Sequence, residues 1–200
     1  MIVGKHMSKS PVVIGPDDLL SSAQEKMKSG GFRRLPVVKD RSLIGIVTDR
    51  DLRQHIGFLE KTKVNAAMSE NPVTVNPRAT LEEAAQLLLK HKIGGLPVVE
   101  ENKLVGIITV SDILQVFLDV MGASEEESSR IDLLLEGEGH DLAAASRAVS
   151  EQSAEVLSVG TYRESWGGSP VCYLRVDAAD PNRIAAALEQ KGFSVLGVHP

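Results

Sequence analysis

Two hundred residues, 42% hydrophobic and 24% charged, suffice for two ordinary domains or one large one, and with only 4% aromatics the packing must come from Val, Leu, Ile and Ala. The net charge of −5 is uneven: through Met121 there are 16 Lys+Arg against 14 Asp+Glu, about +2, and from Gly122 onward 6 against 13, or −7. That balance excludes a nucleic acid gripped by the back part, where phosphates are repelled, and leaves the front part free to hold a small anion.

The front part is a repeat. Shifting the chain by 61 positions lays residues 7–54 on 68–115 without a gap. Met7-Ser8 falls on Met68-Ser69, Leu35-Pro36-Val37-Val38 on Leu96-Pro97-Val98-Val99, and Gly45-Ile46, Thr48 and Asp51 on Gly106-Ile107, Thr109 and Asp112. Each copy opens with a Val-rich extended segment, Pro11–Ile14 or Pro72–Val75, that ends at Pro16 or Pro77. A helix follows with Leu20, Ala23 and Met27 on one face, matched by Leu81, Ala84 and Leu88. Thr80 and Glu83 have the spacing of a capping box. Two β-rich runs come next, Leu35–Val38 and Leu43–Thr48, joined by a polar turn, and a closing helix starts near Asp49 or Val110. One copy is too small to bury both faces of its sheet, so the two are expected to pack as a pseudo-twofold pair.

The order β-α-β-β-α, closing on Gly-Ile-Val-Thr-Asp-Arg-Asp and Gly-Ile-Ile-Thr-Val-Ser-Asp, resembles the CBS domain, a family that works in tandem pairs. The resemblance covers residues 1–60 and 61–122. It implies that Thr48 and Asp51 serve one adenosine-binding site and Thr109 and Asp112 another, the carboxylate accepting hydrogen bonds from the ribose hydroxyls. The same Thr-x-x-Asp is also a helix cap, which stabilises by about 1 kcal/mol with no ligand at all, and the roles are not exclusive. Arg33, Arg34 and Arg50 could neutralise phosphates. The second copy has Gly94, Gly95 and Ser111 at those places, so the first cleft is the expected phosphate site. Val12, Val73, Leu35 and Leu96 are candidate walls for the adenine ring.

Residues 123–129, Ala123-Ser124 and an acidic run to Ser129, read as a linker. From 130 to 200 the pattern is β-α-β-β-α-β: alternation at Ile131, Leu133 and Leu135, a helix capped by Asp141, strands over Val156–Arg163 and Val171–Asp177, a helix opened by Asp180-Pro181, and a last strand Phe193–Val198. This order resembles the ACT domain, a ferredoxin-like regulatory module that binds amino acids at its first strand–helix turn. Here that turn is Gly137-Glu138-Gly139-His140-Asp141, without the usual proline and crowded by three acidic groups. Leu134, Tyr162, Tyr173 and Leu196 form a second apolar stripe that calls for a partner subunit, and Trp166 is a packing or interface residue.

The fold class is therefore α+β, a tandem CBS pair plus an ACT-like domain. Cys172 is the only cysteine, so an internal disulfide and a cysteine metal cluster are excluded. The sequence has no phosphate-binding glycine loop, no His-Glu-x-x-His and no spaced histidines, and it points to no enzyme, no cofactor and no metal. No apolar run approaches the roughly 20 residues that span a bilayer, and the start lacks a signal sequence, so a cytoplasmic chain is expected. The function expected is a homodimeric regulator that senses an adenine nucleotide and passes its state to a regulated protein, resembling bacterial CBS–ACT proteins of the acetoin-utilisation type. An amino-acid-sensing ACT dimer with the CBS pair as scaffold, and a pure oligomerisation adaptor, remain as alternatives.

Overall fold

Each copy of the repeat begins with a short arm and ends in a helix. The first contains α1 (Val3–His6), β1 (Ser8–Lys9), α2 (Leu20–Gly30), β2 (Arg34–Lys39), β3 (Ser42–Thr48) and α3 (Asp49–Gln54). The second contains a 3-10 turn (Val64–Ala66), β4 (Ser69–Glu70), α4 (Leu81–His91), β5 (Gly95–Glu100), β6 (Lys103–Thr109) and α5 (Val110–Val120). The structure is a computed structural model that describes residues 1–124, 128–136, 139–163, 170–178 and 180–199. It forms two compact units, Met1–Leu114 and Gln115–Pro200.

In the first unit the expected helix faces are the buried ones: Leu20, Ala23 and Met27 on α2, Leu81, Ala84 and Leu88 on α4. Burying such aliphatic side chains contributes about 1.5–3 kcal/mol each for the larger ones. The capping box of α4 is formed, Glu83 N–H donating to Thr80 Oγ1 at 3.1 Å and Thr80 N–H to Glu83 Oε2 at 2.8 Å. Both hairpins turn on two residues of positive φ, Asp40 and Arg41 (51° and 67°) and Glu101 and Asn102 (47° and 62°), the turn whose twist matches its strands.

The opening segments differ from expectation. Pro11–Ile14 and Pro72–Val75 each contribute a single bridge, Ile14 to Val37 and Val75 to Val98, because Pro11 and Pro72 have no N–H for a ladder. The strands fall earlier and are exchanged between the repeats. β1 pairs with β6 (Ser8 opposite Ile107, Lys9 opposite Gly106), and β4 with β3 (Ile46 opposite Ser69, Gly45 opposite Glu70). The arms cross as well: Val3 and Gly4 N–H donate to Ala79 and Pro77 carbonyls, and Val64 and Asn65 N–H to Asp18 and Pro16. This crossing explains the glycine in each Gly-Ile pair. A Cβ on Gly45 would lie 3.0 Å from the Ser69 carbonyl oxygen and 2.6 Å from the Met68 sulfur; on Gly106, 3.0 Å from Ser8 and 2.4 Å from Met7.

The second unit contains β7 (Ser128–Leu134), α6 (Leu142–Ser150), β8 (Glu155–Tyr162), β9 (Val171–Asp177), α7 (Pro181–Gln190) and β10 (Ser194–His199). Its antiparallel sheet has the order β10-β7-β9-β8, with Ile131, Leu133, Leu174, Val149 and Leu188 in one core. Cys172 is buried there, and burial, with the Asp132 carboxylate adding, pushes its thiol above the ordinary value. Ser128 and Ser129, expected in the linker, already belong to β7 and are buried. Trp166 and Glu125–Glu127 lie outside the described residues.

The open face of this sheet is not the apolar stripe expected from Leu134, Tyr162, Tyr173 and Leu196. Alternation also brings Arg130 and Asp132 onto it, and they organise it. Arg130 Nε and Nη2 donate to Asp132 at 2.7 and 3.1 Å, and the guanidinium carbon lies 5.0 Å from the ring centres of both Tyr162 and Tyr173. The Tyr162 hydroxyl donates to the buried Asp132 carboxylate at 3.0 Å. Pairing with Asp132 raises the Arg130 guanidinium above its ordinary value.

Candidate functional site

Strand exchange makes two composite clefts in the first unit. The residues that follow β4 lie beside the end of β3, so Pro72 and Val73 face Thr48, Asp49, Arg50 and Asp51 across a cavity of about 580 Å³. The residues that follow β1 lie beside the end of β6, so Pro11 and Val12 face Thr109, Ser111 and Asp112 across about 730 Å³. Both volumes fall in the range of small-molecule sites. Each cleft thus takes its Thr-x-x-Asp from one repeat and its valine wall from the other.

The two aspartates hold equivalent geometry. Thr48 N–H and Thr48 Oγ1–H donate to Asp51 Oδ2 at 2.8 and 2.7 Å; Thr109 makes the same two bonds to Asp112 Oδ2, both at 2.7 Å. The capping reading of Thr-x-x-Asp is therefore realised in both copies. It occupies Oδ2, and Oδ1 takes no part in it. A carboxylate fixed through one oxygen can offer the other to a pair of hydroxyls without rearranging, so capping orients the aspartate as well as stabilising the helix.

The arginines are placed differently from expectation. Arg50 lines the first cleft alone, but Arg33 and Arg34 border both. The register shows why: Arg34 pairs with Thr48 and Gly95 with Thr109, and the glycines leave a slot into which the Arg34 side chain reaches. There Arg34 Nη1 donates to the Gly94 carbonyl. Burial lowers the guanidinium from its ordinary value, against the Asp49 carboxylate and with neighbouring Arg33; arginine still carries its charge near neutrality. Arg53 and Lys92 in the first cleft, and Lys9 in the second, were not singled out by the sequence. Arg33, Arg34, Arg50, Arg53 and Lys92 face Asp49, Asp51 and Glu70 in the first cleft; Lys9, Arg33 and Arg34 face Asp112 in the second. Each therefore has a formal excess of two positive charges, and charge alone does not favour the first cleft.

Leu35 and Leu96, expected as adenine walls, are fully buried and line neither cleft: they point to the core side of β2 and β5. In the second unit, Asp141 caps α6 by accepting from Ala144 N–H at 2.7 Å. The His140 ring meets Phe193 edge-on at 5.0 Å, with Nε2 3.1 Å from the Lys191 carbonyl. Gly139 is exposed at φ 81° with open space around it, and Gly137 lies outside the described residues. His140 and Asp141 thus have packing and capping roles.

Comparison with known proteins adds to this geometry. The CBS domain profile matches residues 3–57 and 64–119. A CBS domain-containing protein of Dictyostelium discoideum is 35% identical over 136 residues, 60% of this chain and 94% of that protein. Inosine-5'-monophosphate dehydrogenase of Staphylococcus aureus is 32% identical over 155 residues, 76% of this chain but only 32% of the enzyme. Among solved structures, CBSX2 in complex with AMP has a TM-score of 0.56 at 31% identity and covers 60% of this chain and 98% of its own. The CBS domain pair of MJ0100 in complex with 5-methylthioadenosine and S-adenosyl-L-methionine has 0.56 at 25%, over 62% and 98%. A structure described as an acetoin utilization protein (AcuB) from Vibrio cholerae has 0.56 at 33%, over 62% and 98%.

Proposed function

We propose that this chain, which belongs to the CBS domain family, is a regulator that binds an adenine nucleotide in its composite clefts and passes its state to a protein partner. The observation that carries the reading is the pair of aspartates held by their own threonines, each with one oxygen outside the cap, in clefts with excess positive charge. The related pairs that hold AMP, 5-methylthioadenosine and S-adenosyl-L-methionine supply the ligand class. In each cleft the carboxylate would take the ribose hydroxyls, the valine (Val73 or Val12) would face the base, and the arginines would meet phosphate. The match to a dehydrogenase spans one third of that enzyme and carries no catalytic reading with it.

The second unit, with its β-α-β-β-α-β order, is in this reading an ACT-like module that relays or assembles and does not hold the ligand. In this reading the turn has other work, with Asp141 capping α6 and His140 packed on Phe193 beside the Lys191 carbonyl. A homodimer is part of the proposal. In the single chain α5 leaves Val110, Leu114, Phe117 and Val120 at least half exposed along one stripe, an apolar surface that a partner copy would cover. No helix among the described residues is long and apolar enough to cross a membrane, and we place the chain in the cytoplasm. Thermal unfolding with adenosine, AMP and a panel of amino acids tests the reading. Stabilisation by AMP and none by amino acids is expected; stabilisation by an amino acid alone would transfer the sensor to the second unit.

A further inference from the structure

The repeat is broken at one place that matters to both clefts. Where the first copy has Arg33-Arg34, the second has Gly94-Gly95, and a single guanidinium fills the gap. A Cβ on Gly94 would lie 2.5 Å from Arg34 Nη2, and one on Gly95 2.4 Å from Nη1. Symmetry would have placed one such arginine in each half; two could not share this slot, because like charges repel and the backbone there offers Gly94 as the carbonyl already taken. Arg34 is half-buried on β2, and its guanidinium is held in the slot by the Gly94 carbonyl. Beyond the shared Arg33 and Arg34, the cations Arg50, Arg53 and Lys92 of the first cleft are balanced by Asp49, Asp51 and Glu70, and Lys9 of the second by Asp112.

We infer that Arg34 couples the two clefts as a shared cation, so that a phosphate-bearing ligand in one lowers the affinity of the other for a second phosphate-bearing ligand. The inference rests on the nucleotide reading above. A ligand can shift an equilibrium only through a difference in contacts, and that difference is one charge-assisted hydrogen-bonding group available to one anion at a time. Both clefts feel the loss, because outside the shared arginines neither has a net positive charge. An uncharged nucleoside needs no guanidinium, so it should enter the second cleft equally well whether or not the first holds a nucleotide. The pair is thus built for one anionic ligand at full affinity, with the other cleft left to a weaker or uncharged one.

Calorimetric titration of the full chain tests this with AMP and adenosine as probes. Val73→Trp fills the first cleft, since Val73 lines only that one. The second cleft should then bind AMP about tenfold tighter than it does in the wild-type chain with its first cleft occupied, a coupling of the usual size. Adenosine should bind the second cleft equally in both. Arg34→Gln should abolish the AMP difference, and Gly95→Ala, which keeps the arginine but expels it from the slot, should reduce it. The Arg34 and Gly95 variants can also be read on the two-step isotherm of an otherwise wild-type chain, so the test stands even if the tryptophan variant fails to fold. A second-cleft AMP affinity that is the same in the Val73→Trp chain as in the wild-type chain with its first cleft occupied, or two AMP steps whose affinity ratio is unchanged by Arg34→Gln, would overturn the coupling and leave the nucleotide reading intact. Absence of AMP binding at either cleft would overturn both.

Discussion

Replacing Asp51 or Asp112 by asparagine separates the two tasks that one carboxylate performs. The cap uses Oδ2, which accepts two bonds from Thr48 at 2.8 and 2.7 Å and two from Thr109, both at 2.7 Å. An asparagine amide oxygen can occupy that place and keep both bonds. What it loses is the difference between a charge-assisted and a neutral acceptor, about 1 kcal/mol. For a unit of this size that lowers the melting temperature by about 4 °C. The ligand side loses more. The atom in the place of Oδ1 becomes an NH2 donor, and a ribose hydroxyl that donated to a carboxylate now meets another donor. A hydrogen bond to a charged group is worth about 1.5–3 kcal/mol, so AMP should bind that cleft about ten- to a hundredfold more weakly. The assay is thermal unfolding without ligand and with a series of AMP concentrations, for each variant and for the double variant. Melting without AMP lowered by only about 4 °C for each substitution, with the AMP-induced shift largely lost in the double variant, is the expected outcome. 2′-Deoxy-AMP should bind the wild-type chain about as weakly as AMP binds the variants. If the double variant keeps the full AMP shift, the aspartates are caps and nothing more.

Other consequences can be checked separately. Gly45→Ala and Gly106→Ala should each destabilise the first unit by about 1–3 kcal/mol in urea unfolding, because the new methyl meets a backbone carbonyl of the exchanged strand; wild-type stability would mean the arm is loosely held. Arg50→Ala should weaken AMP but not adenosine, and only at the first cleft; equal losses for both ligands would show that Arg50 does not meet phosphate. Asp132→Ala should cost the second unit several kcal/mol, since it leaves Arg130 between two tyrosines without its carboxylate; a change below about 0.5 kcal/mol would contradict that picture. Because burial raises the Cys172 thiol above its ordinary 9.0, the unfolded chain releases this proton first. Its contribution is therefore complete below the unfolded value and is lost as pH rises through the folded one. Stability should fall above about pH 8.5, and Cys172→Ala should flatten that fall.

The local elements were legible in the sequence because each follows a rule that acts over a few residues. The i, i+3, i+7 spacing of Leu20, Ala23 and Met27 gives the buried face of α2, and Thr80 with Glu83 gives the start of α4. Asp51 and Asp112 were found because the repeat places the same residues in the same register twice. The exchange of arms was not legible. The offset of 61 shows which residues are equivalent, but not that β1 pairs with the other copy's β6. For that reason Val12 and Val73 were named without the clefts they serve, and Arg34 was assigned to one cleft instead of two. Leu35 and Leu96 misled for a related reason. They neighbour the arginines in sequence, yet on a strand the next side chain points to the opposite face, here the core. On β7 the apolar residues drew attention to Leu134, while the same alternation brought Arg130 and Asp132 to that face.

Hydrogen exchange of the full chain with and without AMP tests the central claim most directly. If the ligand sits in composite clefts, protection should rise together in segments far apart in sequence but joined across each cavity. These are 69–75 with 48–53 for the first cleft and 8–14 with 109–113 for the second. Protection confined to the Gly139–Asp141 turn, or to one repeat without its partner segment, would contradict the account.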